Sequence, residues 1–88
     1  MIVRILGEGS YDVPEADLPA VEQLDATLVD ALDRGDDATF SGALADLVAL
    51  VRHTGKPLPP DDVQTSELAV PHPGSTLAEV RDLLAEGA

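Results

Sequence analysis

The amino-acid sequence predicts a small α+β domain, in which a short N-terminal β-hairpin packs on an antiparallel pair of helices. Three observations support this prediction. Two short β-like runs lie near the N-terminus, two longer segments carry apolar residues at helical spacing, and only a short glycine-containing link joins those segments. The chain has 88 residues, and two domains of half that length would each lack a sufficient interior. We therefore expect residues 1–88 to form a single domain.

The hairpin is predicted from two runs that flank a glycine-containing link. Residues 2–6 are apolar apart from Arg4 and rich in β-branched side chains, and residues 11–13 alternate between apolar and polar side chains. The link is Gly7-Glu8-Gly9-Ser10, a composition typical of a hairpin turn. Phosphate-binding loops also contain a Gly-x-Gly pattern, but their third glycine and their Lys-Ser/Thr pair are missing here. The sequence favours a turn.

The first helix is predicted between residues 15 and 34. Apolar side chains recur there at steps of three and four residues, which places them on one face of a helix, with acidic side chains on the opposite face. Pro19 is tolerated only in the first turn of a helix, so the helix is expected to begin near Asp17.

The second helix is expected to follow at once. Gly35 is a suitable left-handed C-terminal cap for the first helix, and Asp36 or Asp37 is a suitable N-terminal cap for the next. An apolar stripe then continues to the region of Gly55, which precedes Pro57. Because the link is so short, the two helices must lie antiparallel as an αα-hairpin.

The C-terminal third of the chain gives a weaker pattern. Residues 56–62 (KPLPPDD) predict a stiff proline-rich connection, and residues 64–70 are compatible with a third strand or with an extended edge. Residues 71–74 (PHPG) predict a turn. Thr76 and Glu79 have the spacing of a capping box, which predicts a short C-terminal helix.

The composition limits the classes of function. Seventeen acidic residues against five basic ones give a net charge of −12, which disfavours direct binding to nucleic acid or to anionic lipid headgroups. The absence of cysteine excludes disulfides and thiolate metal sites. Neither a signal peptide nor an apolar run long enough to cross a membrane is recognisable. The sequence therefore predicts a cytoplasmic protein without direct membrane insertion.

The core must be built almost entirely from aliphatic side chains. Phe40 and Tyr11 are the two aromatic residues of the chain. A core of Leu, Val and Ala has few large side chains, so burial against a partner or a second copy would add stability. A homo-oligomer is one expectation that follows.

The search for catalytic or metal-binding patterns yields no site. His53 and His72 lack the spacing of metal ligands, and His53 suits the end of a helix. The carboxylate pair Asp61-Asp62, like the pair at Asp36, stands where aspartate is common for local hydrogen bonds. We accordingly predict no catalytic, cofactor-binding or metal-binding residues and no enzymatic activity.

Three segments carry a resemblance to a known family. They are the opening MIVRILGEGSYDVP, the string TGKPLP at residues 54–59 and the string SEL at residues 66–68. With the two acidic-faced helices, they resemble the PspA-associated proteins called PspAA, over nearly the whole chain. The resemblance implies an accessory protein of a phage-shock-protein type envelope-stress response. Its implied partner is a PspA-like coiled-coil membrane-remodelling protein, and the family has no agreed catalytic residues.

The leading hypothesis is thus a protein-interaction module that binds or regulates a PspA-like protein. One alternative is an acidic inhibitor or antitoxin-like decoy, which is suggested by the charge of −12 and requires the acids to cluster on one surface. Another is a small metal-dependent hydrolase, which requires Asp61, Asp62 and His72 to converge.

Two surfaces are candidates for an interface. One is the edge of the N-terminal hairpin around Val3, Ile5 and Tyr11, an edge to which a strand of a partner or of a second copy can add. The other is the outer face of the αα-hairpin. Tyr11 is either an interface anchor or a residue that packs the sheet.

Overall fold

A computed structural model of the chain describes residues 1–59 and 67–87, with side chains described as far as residue 83. It confirms the α+β class, the antiparallel pair of long helices and the short C-terminal helix. The elements in chain order are β1 (Ile2–Ile5), β2 (Gly9–Asp12), a 3₁₀ turn (Glu15–Asp17), α1 (Leu18–Arg34), α2 (Asp37–Thr54), β3 (Lys56–Pro57), β4 (Leu68–Val70) and α3 (Leu77–Gly87).

The strands form one mixed sheet in the order β3-β2-β1-β4. Strands β1 and β2 make the expected antiparallel hairpin, in which Val3 lies opposite Tyr11. The uncertain segment near residues 64–70 contains a strand, β4, which pairs parallel to β1, while residues 64–66 lie outside the described part of the chain. The α1–α2 pair lies within the long connection that parallel pairing of β1 and β4 requires.

Strand β3 was not expected, because residues 56–62 were interpreted as a connection. Its two residues pair with the end of β2, with Pro57 opposite Tyr11 and Lys56 opposite Asp12. Proline has no N–H to give to a sheet and is therefore found on outer strands. The position of β3 at the margin of the sheet agrees with this rule.

The expected free edge at Val3 and Ile5 is not observed. Strand β1 is paired with β2 on one side and with β4 on the other, so its backbone has no open edge. The side chains of Val3 and Ile5 are fully buried in the core. Tyr11 is half-buried on β2 and also has a strand on each side.

Helix α1 begins and ends where its sequence predicts. Pro19 lies in its first turn, after Asp17 at the N-cap, where a missing N–H costs nothing. Gly35 ends the helix with a φ of 70°, in the left-handed region that glycine adopts without strain. Arg81 of α3 donates a hydrogen bond of 2.7 Å to the carbonyl of Leu32, so a cation also stabilises this helix end.

Helix α2 is capped by Asp36. The Asp36 carboxylate accepts hydrogen bonds from the Thr39 hydroxyl at 2.7 Å and from the Thr39 backbone N–H at 3.2 Å. Both hydrogen bonds lower the pKa of Asp36, and the bond from the Thr39 hydroxyl has the larger effect. At the other end of α2, the N–H of Gly55 bonds to the carbonyl of Val51.

The helices cover one face of the sheet and share one core with it. The large fully buried side chains come from the strands and both long helices, with Phe40 the largest of them. Helix α3 adds Leu77 and Val80 to the same core. Among the residues whose side chains are described, the buried ones are Val3, Ile5, Val13, Val21, Leu28, Ala31, Phe40, Ala43, Leu44, Leu47, Val48, Val51, Val70, Leu77 and Val80.

Gly55, at the C-cap of α2, and Gly42, inside α2, should respond oppositely to replacement by alanine. A Cβ at Gly55 would lie 2.6 Å from the Val51 carbonyl oxygen and 2.8 Å from the Tyr11 Cβ. Gly55→Ala should therefore lower the free energy of unfolding by about 1–3 kcal/mol, the usual cost of overpacking. Gly42 lies exposed within α2, and a Cβ there meets nothing within 4 Å. Gly42→Ala should raise the free energy of unfolding by about 0.5–1 kcal/mol.

Urea unfolding of the two variants beside the unsubstituted chain measures both effects. Equal changes at the two positions would contradict the close approach of α2 and β2 at Gly55.

Candidate interaction groove

The side of α2 that faces away from the core is unusually small and apolar. Its core side holds the large side chains, and its exposed side carries a stripe of Ala38, Gly42, Ala45 and Ala49 beside the polar residues Asp37, Ser41, Asp46, Arg52 and His53. On the solvent face of an ordinary surface helix, long charged side chains are expected instead. This face forms one wall of a groove.

The turn between β4 and α3 forms the opposite wall. Both the backbone N–H and the hydroxyl of Ser75 donate to the carbonyl of His72, at 3.0 and 2.5 Å. Thr76 caps α3, because its hydroxyl accepts from the N–H of Glu79 at 3.1 Å and donates to the Glu79 carboxylate at 3.2 Å. Of the capping box expected from the sequence, the bond from the Glu79 N–H to the Thr76 hydroxyl is present, while the Glu79 carboxylate accepts from the Thr76 hydroxyl and not from its backbone N–H. These bonds fix the wall.

The groove between the two walls has a volume of about 320 Å³. Leu44 and Val48, which are almost fully buried, form its floor, and Ala45 and Ala49 stand beside them. Along α2 the groove extends from Ser41 to Arg52. The residues that line it are Ser41, Leu44, Ala45, Val48, Ala49, Arg52, Pro73, Gly74, Ser75 and Thr76.

An ion-pair network stands at the Arg52 end of the groove. The Arg52 guanidinium pairs with the Glu8 carboxylate, and its Nε donates to Glu8 Oε2 at 3.0 Å. The hydroxyl of Tyr11 donates to the same oxygen at 2.9 Å. The network therefore joins the hairpin to the last turn of α2.

The network also changes the acidities of its members. The hydrogen bond from Arg52 is the main reason why the pKa of Glu8 is lowered, and the bond from Tyr11 acts in the same direction. The pKa of Tyr11 is raised because its proton is held by the Glu8 carboxylate. Ionised Glu8, neutral Tyr11 and cationic Arg52 are thus mutually stabilising.

The hairpin turn also contacts the second wall of the groove. Gly7 has a φ of 81° and lies against the ring of His72, so closely that a Cβ at Gly7 would overlap the ring. Any other residue would meet both this overlap and the strain of a positive φ. The hairpin turn, α2 and the β4–α3 turn therefore meet around one end of the groove.

The acidic residues are distributed over several elements. They occur on the hairpin at Glu8 and Asp12, along α1, on α2 at Asp37 and Asp46, and on α3 at Glu79 and Asp82. Glu79 is bonded to the groove residue Thr76. A carboxylate therefore stands beside the second wall of the groove.

The candidate interface and metal-site residues singled out from the sequence lie in different parts of the structure. Tyr11 belongs to the network at the groove end, whereas Val3 and Ile5 are buried core residues. His72 packs against the hairpin turn. Asp61 and Asp62 lie outside the described residues. Among the residues that are described, no three His, Asp or Glu side chains are grouped so as to hold a metal ion.

Sequence reasoning did not find the groove. The outer face of the αα-hairpin was a candidate surface, but the small residues at positions 38, 42, 45 and 49 were not recognised as its distinctive part. Their helical spacing was visible in the sequence. The second wall was not, because it comes from a turn about 25 residues further along the chain.

The fold and the groove together define a class of protein. The chain is a small α+β protein with an open apolar groove on one helix, and none of the helices in its described part has the length and apolar character needed to cross a bilayer. Across residues 1–88, the whole chain, the sequence matches the family described as PspA-associated protein, PspAA. The chain belongs to that family. No curated protein and no solved structure matches it.

Replacement of Glu8 by glutamine should give a pH-dependent loss of stability. The Arg52 bond lowers the pKa of Glu8 in the folded chain, so ionised Glu8 stabilises the fold above the pKa it has when unfolded. That contribution is lost as the pH falls through the lowered, folded pKa. Glu8→Gln should therefore lower Tm at neutral pH, and the difference from the unsubstituted chain should vanish well below the ordinary glutamate pKa of about 4.3.

Thermal melts of both chains across this pH range test the prediction. Glu22→Gln is the matched control, because Glu22 is exposed on α1 and has no ion-pair partner among the described side chains. A difference at Glu8 that stays constant at low pH would show that the charge of Glu8 is not responsible.

Proposed function

We propose that this protein is a non-catalytic accessory module that binds a PspA-type protein in the cytoplasm and acts in an envelope-stress response. The single observation that carries the proposal is the family match, which spans residues 1–88 and whose description names an association with PspA.

The chemistry of the groove supports binding over catalysis. Arg52 is the one ionisable side chain among the described residues that line the groove, and it is already paired with Glu8. General acid–base chemistry requires a carboxylate, an imidazole or a similar group within reach of a substrate. A groove of aliphatic side chains and hydroxyls offers a contact surface instead.

The charge of the chain supports a basic partner surface. At a net charge of −12, the chain would be attracted to positive patches from a distance, and this attraction would weaken with salt. A decoy of nucleic acid would concentrate its acids on one surface. Among the described residues the acids occur on the hairpin and on all three helices, so no single element gathers them as the decoy hypothesis would favour.

The proposal is tested by mixing the full chain with a PspA-type protein from the same organism. Size-exclusion chromatography with light scattering should show a complex at low salt and micromolar concentrations, and the complex should weaken as salt is added. The chain alone, measured in parallel, gives its own oligomeric state. A neutral protein of similar size serves as the control for non-specific association. Separate elution of the two proteins at low salt would contradict the proposal.

A further inference from the structure

We propose that the groove on α2 receives one amphipathic helix of a protein partner, whose apolar stripe enters the groove and whose flanking side chains are Lys or Arg. For the identity of the partner, this inference rests on the proposed function. The kind of occupant follows from the groove itself.

The shape of the groove fits a helix. The groove extends along α2 from Ser41 to Arg52, which is about 16 Å of helix axis at 1.5 Å per residue. Its α2 side carries Ser41, Ala45 and Ala49 at intervals of four residues, and such small side chains allow two helices to approach closely. A partner helix of about three turns would be in contact along this whole length.

An extended peptide fits the same surface poorly. The backbone groups of α2 are already used within the helix, so they offer no ladder to a peptide strand. An extended chain placed over Leu44 and Val48 would lose water from its own N–H and C=O groups without replacement. A helix satisfies its backbone internally and avoids this cost.

The charges around the groove favour a particular charge on the side chains that border the occupant's apolar stripe. Arg52, the cation that lines the groove, is neutralised by Glu8. Glu79 is hydrogen-bonded to Thr76 on the opposite wall, and the whole chain carries a net charge of −12. A helix that carries Lys or Arg beside its apolar stripe is complementary to these acidic surroundings.

The acidity of the chain also disfavours a second copy as the occupant. In a symmetric dimer the same surface meets itself, so one acidic surface would face another. With a net charge of −12 on each copy, this arrangement is repulsive. The structure therefore points to a different, basic partner.

The closing experiment fills the groove with a bulky side chain. Ala45→Trp should weaken binding of the PspA-type protein by about tenfold or more, with an unchanged melting curve. Ala26→Trp, at an exposed position on α1, is the matched control and should bind as the unsubstituted chain does. If Ala45→Trp does not fold, Ala49→Trp on the same face replaces it. Normal binding by the folded groove variant would overturn the groove assignment but leave the proposed function in place.

A synthetic probe separates the groove from the identity of the partner. An amphipathic peptide helix with an Ala/Leu stripe and Lys flanks is titrated into the full chain, and amide shifts are followed by NMR. Shifts at Ala45, Ala49 and Ser75, absent with a peptide in which Glu replaces Lys, are the expected result. Shifts confined to the acidic face of α1 would overturn the groove assignment. If the peptide fills the groove while the PspA-type protein does not bind, the proposed function fails and the groove assignment stands.

The oligomeric state of the chain alone also tests which molecule occupies the groove. Should the chain alone form a dimer that Ala45→Trp abolishes and Ala26→Trp leaves intact, a second copy would be the occupant, and the assignment to a basic partner would be wrong.

Discussion

Strand β1 is held on both edges and on one face, and the positions of the other elements depend on this. Strand β2 pairs with one edge and β4 with the other, while Val3 and Ile5 project into the core that the helices share. In a chain with only two aromatic residues, the fully buried aliphatic side chains of this strand are a large part of the available core. The cost of an open strand edge is also removed, because the backbone of β1 is paired on both sides.

Because β1 is central, the helices must cover the face of the sheet onto which Val3 and Ile5 project. Both long helices bury one side there, with Val21 and Leu28 from α1 and Phe40 and Leu47 from α2. A two-layer arrangement of this kind leaves the outer side of each helix without a protein neighbour. On α1 that side is acidic and well suited to water. On α2 a row of three alanines and a glycine runs along that side among its polar residues, and contact of this row with water brings no compensating hydrogen bonds.

The parts of the fold that could be predicted from the sequence are those set by local chemistry. Gly35 and Asp36 act within a few residues of their own positions, and both were recognised as the boundary between the helices. The pairing of β4 with β1 joins residues more than 60 positions apart, and three residues of strand give too short a pattern to reveal it. Strand β3 has only two residues, within a proline-rich segment, so its pattern is also too short to be recognised from the sequence. Misplacing the edge at Val3 and Ile5 followed directly, since the edge depends on whether β4 is present. The groove was missed because one of its walls is a distant turn.

The Glu8–Arg52 ion pair links the hairpin turn, which is built from residues adjacent in sequence, to the groove, which is built from segments far apart in sequence. Glu8 belongs to the hairpin turn, whose shape is set by neighbouring glycines, while Arg52 belongs to the groove that α2 forms with the β4–α3 turn. The contact of Gly7 with His72 ties the same hairpin turn to the opposite wall. An occupant of the groove that presents its own carboxylate near Arg52 would have to compete with Glu8, whereas a cationic occupant leaves the pair intact. The ion pair that stabilises the folded chain therefore also works against anionic ligands, in the same direction as the net charge.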